Sequence, residues 1–246
     1  MRIGAAAMML LAVTVACGSG LFRQYEYEED LYLSLDGTAT LYVNASLDAL
    51  NALRGSTFDT RPAAPLDRAG IEQFFSSPTT EVTRVTASAR AGRRFVHVRI
   101  DVRDIRTLGD RRPFAWSTYA FERDGALVAY AQRVGARAAG APSASSGEGL
   151  PGDALVAFRL HAPSRVVSHN AGAENLRRGN ILVWEQTLGD RLHGSPVEID
   201  VRMEAESILY RTLLLFGVSA AAVVATFAVV IWWLTRTREG AGGGRP

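Results

Sequence analysis

With 246 residues and two apolar ends, the chain leaves room for one domain of ordinary size, large enough to bury its own core. All 27 basic residues are Arg and the formal charge is +2, but residues 18–207 carry 22 Arg against 24 acids, so the surplus sits at the ends; this excludes a globally basic nucleic-acid binder. A single cysteine, Cys17, excludes an intramolecular disulfide and a multi-cysteine metal site.

Residues 1–16 read as a secretion signal, with Arg2 as the positive end and Ala5 to Val15 as an apolar stretch too short to span a bilayer comfortably. The residues Thr14-Val15-Ala16-Cys17 resemble a bacterial lipobox, although Leu is usual where Thr14 stands. Cys17 is accordingly the candidate lipid-attachment residue at the head of a linker, 17–24, because two or three acyl chains anchor stably where one does not. Ordinary cleavage after Ala16, leaving a free thiol, is the other reading.

From Tyr25 the pattern has period two. Tyr25, Tyr27, Leu31, Leu33 and Leu35 share one face, while Glu26, Glu28, Asp30, Tyr32 and Ser34 share the other, where the carboxylates are expected to stay solvated. Asp36-Gly37 supplies a turn, and Ala39, Leu41, Val43 and Ala45 alternate back as a hairpin. Ser46 is placed to cap a short helix, Leu47 to Arg54, which Gly55 can close. A second helix is expected over Leu66 to Phe75.

Strands are then expected over Glu81 to Ala89, Arg94 to Val102, Phe114 to Glu122 and Ala126 to Val134. Gly135 to Gly152 has almost no large apolar residue and reads as a flexible surface loop. Further strands follow around Val156 to Leu160, Asn180 to Gln186 and Val197 to Met203. The fold class is therefore α+β: a mainly antiparallel β-sheet with two short helices packed on one face, forming an extracytoplasmic domain over 25–207. A β-sandwich is the alternative.

The run Thr212 to Thr235 has no charged residue, and its apolar part, Leu213 to Leu234, makes a helix of roughly 33 Å, enough for a hydrocarbon core of about 30 Å. We read 208–235 as one C-terminal transmembrane helix. Arg236, Arg238 and Arg245 in the tail, 236–246, put that tail in the cytoplasm and the domain outside. Gly217, Ala221 and Ala225, four residues apart, form a small-residue ridge through which a protein partner can approach.

Catalytic signals are weak. His97, His161, His169 and His193 show no HExxH pattern, and Ser168-His169-Asn170 comes without a nucleophile elbow. The expectation is a protein that is not an enzyme and has no cofactor and no metal. From Arg84 to Arg112 there are nine Arg against three Asp, so Arg93, Arg94, Arg111 and Arg112 are candidate contacts for anionic headgroups at the membrane.

The leader, the β-rich domain, the single C-terminal span and the short basic tail together resemble the LppM-like bacterial envelope lipoproteins. Locally, Leu160-His161-Ala162-Pro163 through His169-Asn170, then Gly179 to Trp184, looks like the family's turn followed by a strand ending in tryptophan. The resemblance implies a fold related to lipid-binding proteins, with an apolar cleft for a lipid or other amphiphile. Phe74, Phe75, Phe114, Trp116 and Trp184 are its candidate lining residues, and no catalytic residue is carried over. Two functions follow from these features: a membrane-tethered extracytoplasmic binding module for an amphiphile, or a structural adaptor of the cell envelope that holds a protein partner and no nucleic acid.

Overall fold

The computed structural model describes residues 25–135, 150–172, 179–206 and 208–240, the side chains of 208–211 and 234–240 excepted. Cys17, the signal and linker, most of the loop expected over 135–152 and the last residues of the tail lie outside them.

The first hairpin forms as its alternation requires. Strand β1 (Tyr25–Leu33) pairs antiparallel with β2 (Ala39–Ser46). Their turn places Gly37 at φ 88°, a left-handed conformation that favours glycine, while Asp36 accepts from the Thr38 amide at 2.9 Å. Helix α1 (Leu47–Arg54) begins where Ser46 accepts from the Ala49 amide at 3.1 Å and ends where Gly55 turns left-handed, both as the sequence indicates. Such an N-cap contributes about 1 kcal/mol. Helix α2 (Arg68–Phe75) starts two residues later than expected, because Asp67 takes the capping role and accepts from the Gly70 amide.

Strands β3 (Thr80–Arg90) and β4 (Arg93–Val102) form a second hairpin, and a 3-10 helix, Ile105–Asp110, follows. Next come β5 (Ser117–Asp124), β6 (Leu127–Val134), β7 (Leu155–His161), β8 (Val166–His169), β9 (Ile181–Thr187), a one-turn α3 (Leu188–Leu192) and β10 (Val197–Glu204). Among the described residues, the ten strands divide into a six-stranded sheet, β3-β4-β2-β1-β7-β9, and a four-stranded sheet, β5-β6-β10-β8. All pairings are antiparallel except β1 with β7. That pair runs parallel because β7 returns to the first sheet only after the chain has crossed to the second, a connection far longer than a hairpin permits.

One face of the large sheet is covered. Leu31, Leu41, Val43, Val98, Ile100, Val156, Phe158 and Leu160 meet Leu50 and Leu53 of α1, Ile71 and Phe75 of α2, and Phe121, Tyr130, Ile199, Val201 and Met203 of the small sheet in one core. Each large apolar side chain buried this way contributes roughly 1.5–3 kcal/mol. The fold is thus α+β, mainly antiparallel, with both short helices on the covered face.

After β10 the chain enters α4 (Ile208–Gly240), whose stretch Thr212–Trp233 has a mean hydropathy of 2.5 and is not packed against the domain. Two of its hydroxyls are satisfied inside the helix: Ser219 donates to the Leu215 carbonyl and Thr226 to the Ala222 carbonyl, each at 2.8 Å. An apolar surface all round, with these two hydroxyls internally paired, suits a hydrocarbon solvent.

Candidate functional site

Alternation along β1 turns Glu29 inward beside Tyr27 and Leu31, into the space between the sheets. Arg54, last residue of α1, meets it there and is only 2% exposed. Its guanidinium donates from Nε to the Tyr27 hydroxyl at 2.7 Å, from Nη1 to the Pro113 carbonyl at 2.8 Å and from Nη2 to Glu29. Tyr27 in turn donates to Glu29 Oε1 at 2.7 Å. Burial, more than any neighbouring charge, pushes the Tyr27 phenol well above its ordinary pKa, so it stays a proton donor.

The Arg54 guanidinium carbon lies 3.6 Å from the Trp116 ring centroid, and Arg191 of α3, fully buried, lies 5.3 Å from the same ring. Two buried cations therefore lie against one indole, and the buried carboxylate of Glu29 pairs with one of them, Arg54.

Beside this cluster, a cavity bounded by Glu29, Leu31, Tyr119, Tyr130, Gln132 and Ile199, among others, has a volume of about 10 Å³. That holds about one water, not an acyl chain. The aromatic residues singled out from the sequence pack instead against each other and the core. Phe74 meets Phe75 edge-on at 5.0 Å, Phe75 meets Phe114 at 5.9 Å, and Trp116 meets Phe158 at 6.1 Å. Trp184 stands apart and donates its indole N–H to Asn170 Oδ1 at 3.0 Å. Asn170 Oδ1 also accepts from the Asp200 amide at 2.9 Å, so this one side chain ties the large sheet to the small one.

The other face of the large sheet is open and polar. Arg159 on β7 pairs with Glu28 at 2.7 Å and Asp30 at 3.4 Å, and lies over the Tyr25 ring. Tyr32, 44% exposed, stacks on His161 with centroids 3.7 Å apart and meets Tyr42 edge-on at 5.4 Å. Arg99 lies beside Tyr42 and pairs with Asp101 at 3.7 Å. His97 shares its proton with Asn44 Oδ1 through Nδ1 and accepts from Ser88 through Nε2, each at 2.9 Å.

The β1 acidic run is consequently not a solvated face. Glu26 is buried against Arg93 at 2.9 Å, Glu28 and Asp30 are held by Arg159, and Glu29 by Arg54. A cation from another strand or from a helix answers each carboxylate, which the pattern of one strand does not reveal. Among the described residues, no group of three or more His, Cys, Asp or Glu is placed to hold a metal.

The four candidate headgroup arginines do not form one patch. Arg93 is engaged by Glu26, and Arg94, its neighbour on β4, turns the other way and donates to the carbonyls of Asp59 and Arg61 at 3.3 Å. Arg111 and Arg112 lie on the exposed loop after the 3-10 helix. Arg93 also sits at the opposite end of β4 from Val102, about 30 Å away at roughly 3.3 Å per residue. Gly37, near the Val102 end, approaches Phe121 of β5, and β5 ends beside the exit of β10 into α4. On α4, Gly217, Ala221 and Ala225 share one exposed helix face.

No protein-family model matches the chain, and no curated protein matches it. Among solved structures it is similar to the folded domain of LppM from Mycobacterium tuberculosis, determined by NMR, at 16% identity and a TM-score of 0.36 over 76% of this chain and 94% of that one. Both values are low, and they assign this chain neither ligand nor activity.

Proposed function

We propose that the chain is a membrane-tethered, non-enzymatic module of the bacterial cell envelope, and that it docks a protein partner on the open face of its six-stranded sheet. In this reading α4 crosses the membrane with the domain outside, and a lipidated Cys17 adds a second anchor. The observation that carries it is the contrast between the two faces of the large sheet. On the covered face the cavity beside Glu29 has a volume of about 10 Å³, too small for an acyl chain, whereas the open face presents Tyr32, Tyr42, His161, Arg99 and Arg159. Aromatic and Arg side chains held in place by ion pairs are the groups that dominate protein recognition.

The test is a photo-crosslinking residue at Tyr42 in the full chain, in its own membrane. A discrete protein adduct, lost when Tyr32 is changed to Ala, supports docking. Adducts to lipid alone overturn it and return the chain to the amphiphile-binding reading.

A further inference from the structure

The inter-sheet cluster is out of charge balance. Glu29 is engaged by Arg54 and Tyr27, which leaves Arg191, wholly buried, with neutral hydrogen-bond partners only among the described residues: the Gly135 carbonyl and Gln186 Oε1, the latter at 3.4 Å. Its Nε donates to nothing. Two more N–H donors on residues it adjoins are also sealed from solvent without an acceptor: Gln186 Nε2, on the amide that accepts from Arg191, and Trp116 Nε1, on the ring whose centroid is 5.3 Å from the Arg191 guanidinium carbon. Burial first, and the Arg54 cation second, work against the protonated form of Arg191, yet an arginine does not give up its proton. A buried charge without an ion-pair partner, its own Nε and two neighbouring donors orphaned, costs far more than a paired one.

We propose that the corner formed by Arg191, Gln186 and Trp116 is a binding site for a single small anion of chloride size. The chemistry is selective in sign, because every orphaned nitrogen there is a donor and the nearest carboxylate, Glu29, belongs to Arg54. It is selective in size, because each of these donor atoms is closed to solvent and out of reach of a large ion. Occupancy neutralises Arg191 and couples the junction of β5, β9 and α3 to the anion concentration outside.

The experiment is thermal unfolding of the full chain in detergent, followed by tryptophan fluorescence. Chloride is titrated against gluconate at constant ionic strength, gluconate being too large to enter. Wild type shows a saturable rise in melting temperature, on the order of 5 °C at a hundredfold excess over the dissociation constant. Gln186→Glu places a fixed carboxylate beside Arg191, so it melts higher in gluconate and no longer responds to chloride. Arg191→Met likewise loses the response. A wild type indifferent to chloride overturns the site, as does a response that survives in Gln186→Glu, which decides the matter even where Arg191→Met does not fold.

Discussion

Replacing Glu29 with Gln removes the carboxylate that pairs with Arg54 in the space where Arg191 also lies. The substitution keeps shape and one acceptor, so the loss is chiefly electrostatic. Arg54 retains the Tyr27 hydroxyl and the Pro113 carbonyl but loses its counter-charge while 2% exposed. Breaking a buried pair from one side costs about 3–5 kcal/mol. For a domain of this size, where 1 kcal/mol moves the melting temperature by about 2–4 °C, Glu29→Gln should melt on the order of 6–20 °C lower. Arg54→Met, which leaves Glu29 charged and unpaired, should cost a similar amount. The double variant should recover most of the loss, since a neutral, well-packed pair need not be less stable than a buried ion pair. Denaturant unfolding of the full chain in detergent, monitored through tryptophan fluorescence, gives all four corners of the cycle. A Glu29→Gln protein within 1 kcal/mol of wild type, or additive single costs, would refute the buried-pair account.

Three further outcomes are expected. Gly109→Ala brings a Cβ to 2.4 Å from the Ser117 carbonyl oxygen, so it should lower the unfolding free energy by about 1–3 kcal/mol, whereas Ala at the open Gly152 should not. Asn170→Ala frees the Trp184 indole and the Asp200 amide together and should cost about 1–3 kcal/mol, with a visible shift in tryptophan emission. Burial first, and Arg90 second, hold the His97 pKa below its ordinary value, so the unfolded chain binds the extra proton. Stability from this group is therefore present above about pH 6.5 and falls as pH drops toward the folded value, a slope that His97→Gln should flatten in pH-dependent melting curves.

Much of the fold is legible in period and punctuation. The β1–β2 hairpin, the Ser46 and Gly55 caps, the β10 alternation and the apolar run of α4 depend on local rules, and each forms where those rules place it. Other features depend on neighbours distant in sequence. Nothing in β1 or β7 announces their parallel pairing, and β8, four residues with only Val166 buried, is too short to show a period. Phe114 and Trp116 precede β5 rather than lie in it, because the chain turns there to pack both rings inward.

The inter-sheet cluster was partly visible. Period two along β1 puts Glu29 on the side of Tyr27, and Arg54 follows the apolar stripe of α1, so the sequence itself carries an inward carboxylate and a cation at the helix end. Arg191 carried no such signal, since its burial arises from α3 closing over Trp116. The aromatic residues gave bulk without direction: the same five side chains fill a core or line a cleft, and only packing separates the two.

The claim on which the functional reading rests is that the domain's interior is closed and that recognition happens on its surface. A protease site introduced after Glu206 would release the folded domain from the full chain after extraction from its native membrane, and lipid mass spectrometry of the released domain then tests the claim directly. The account predicts no amphiphile in stoichiometric amount. One lipid per domain, retained through purification, would contradict it.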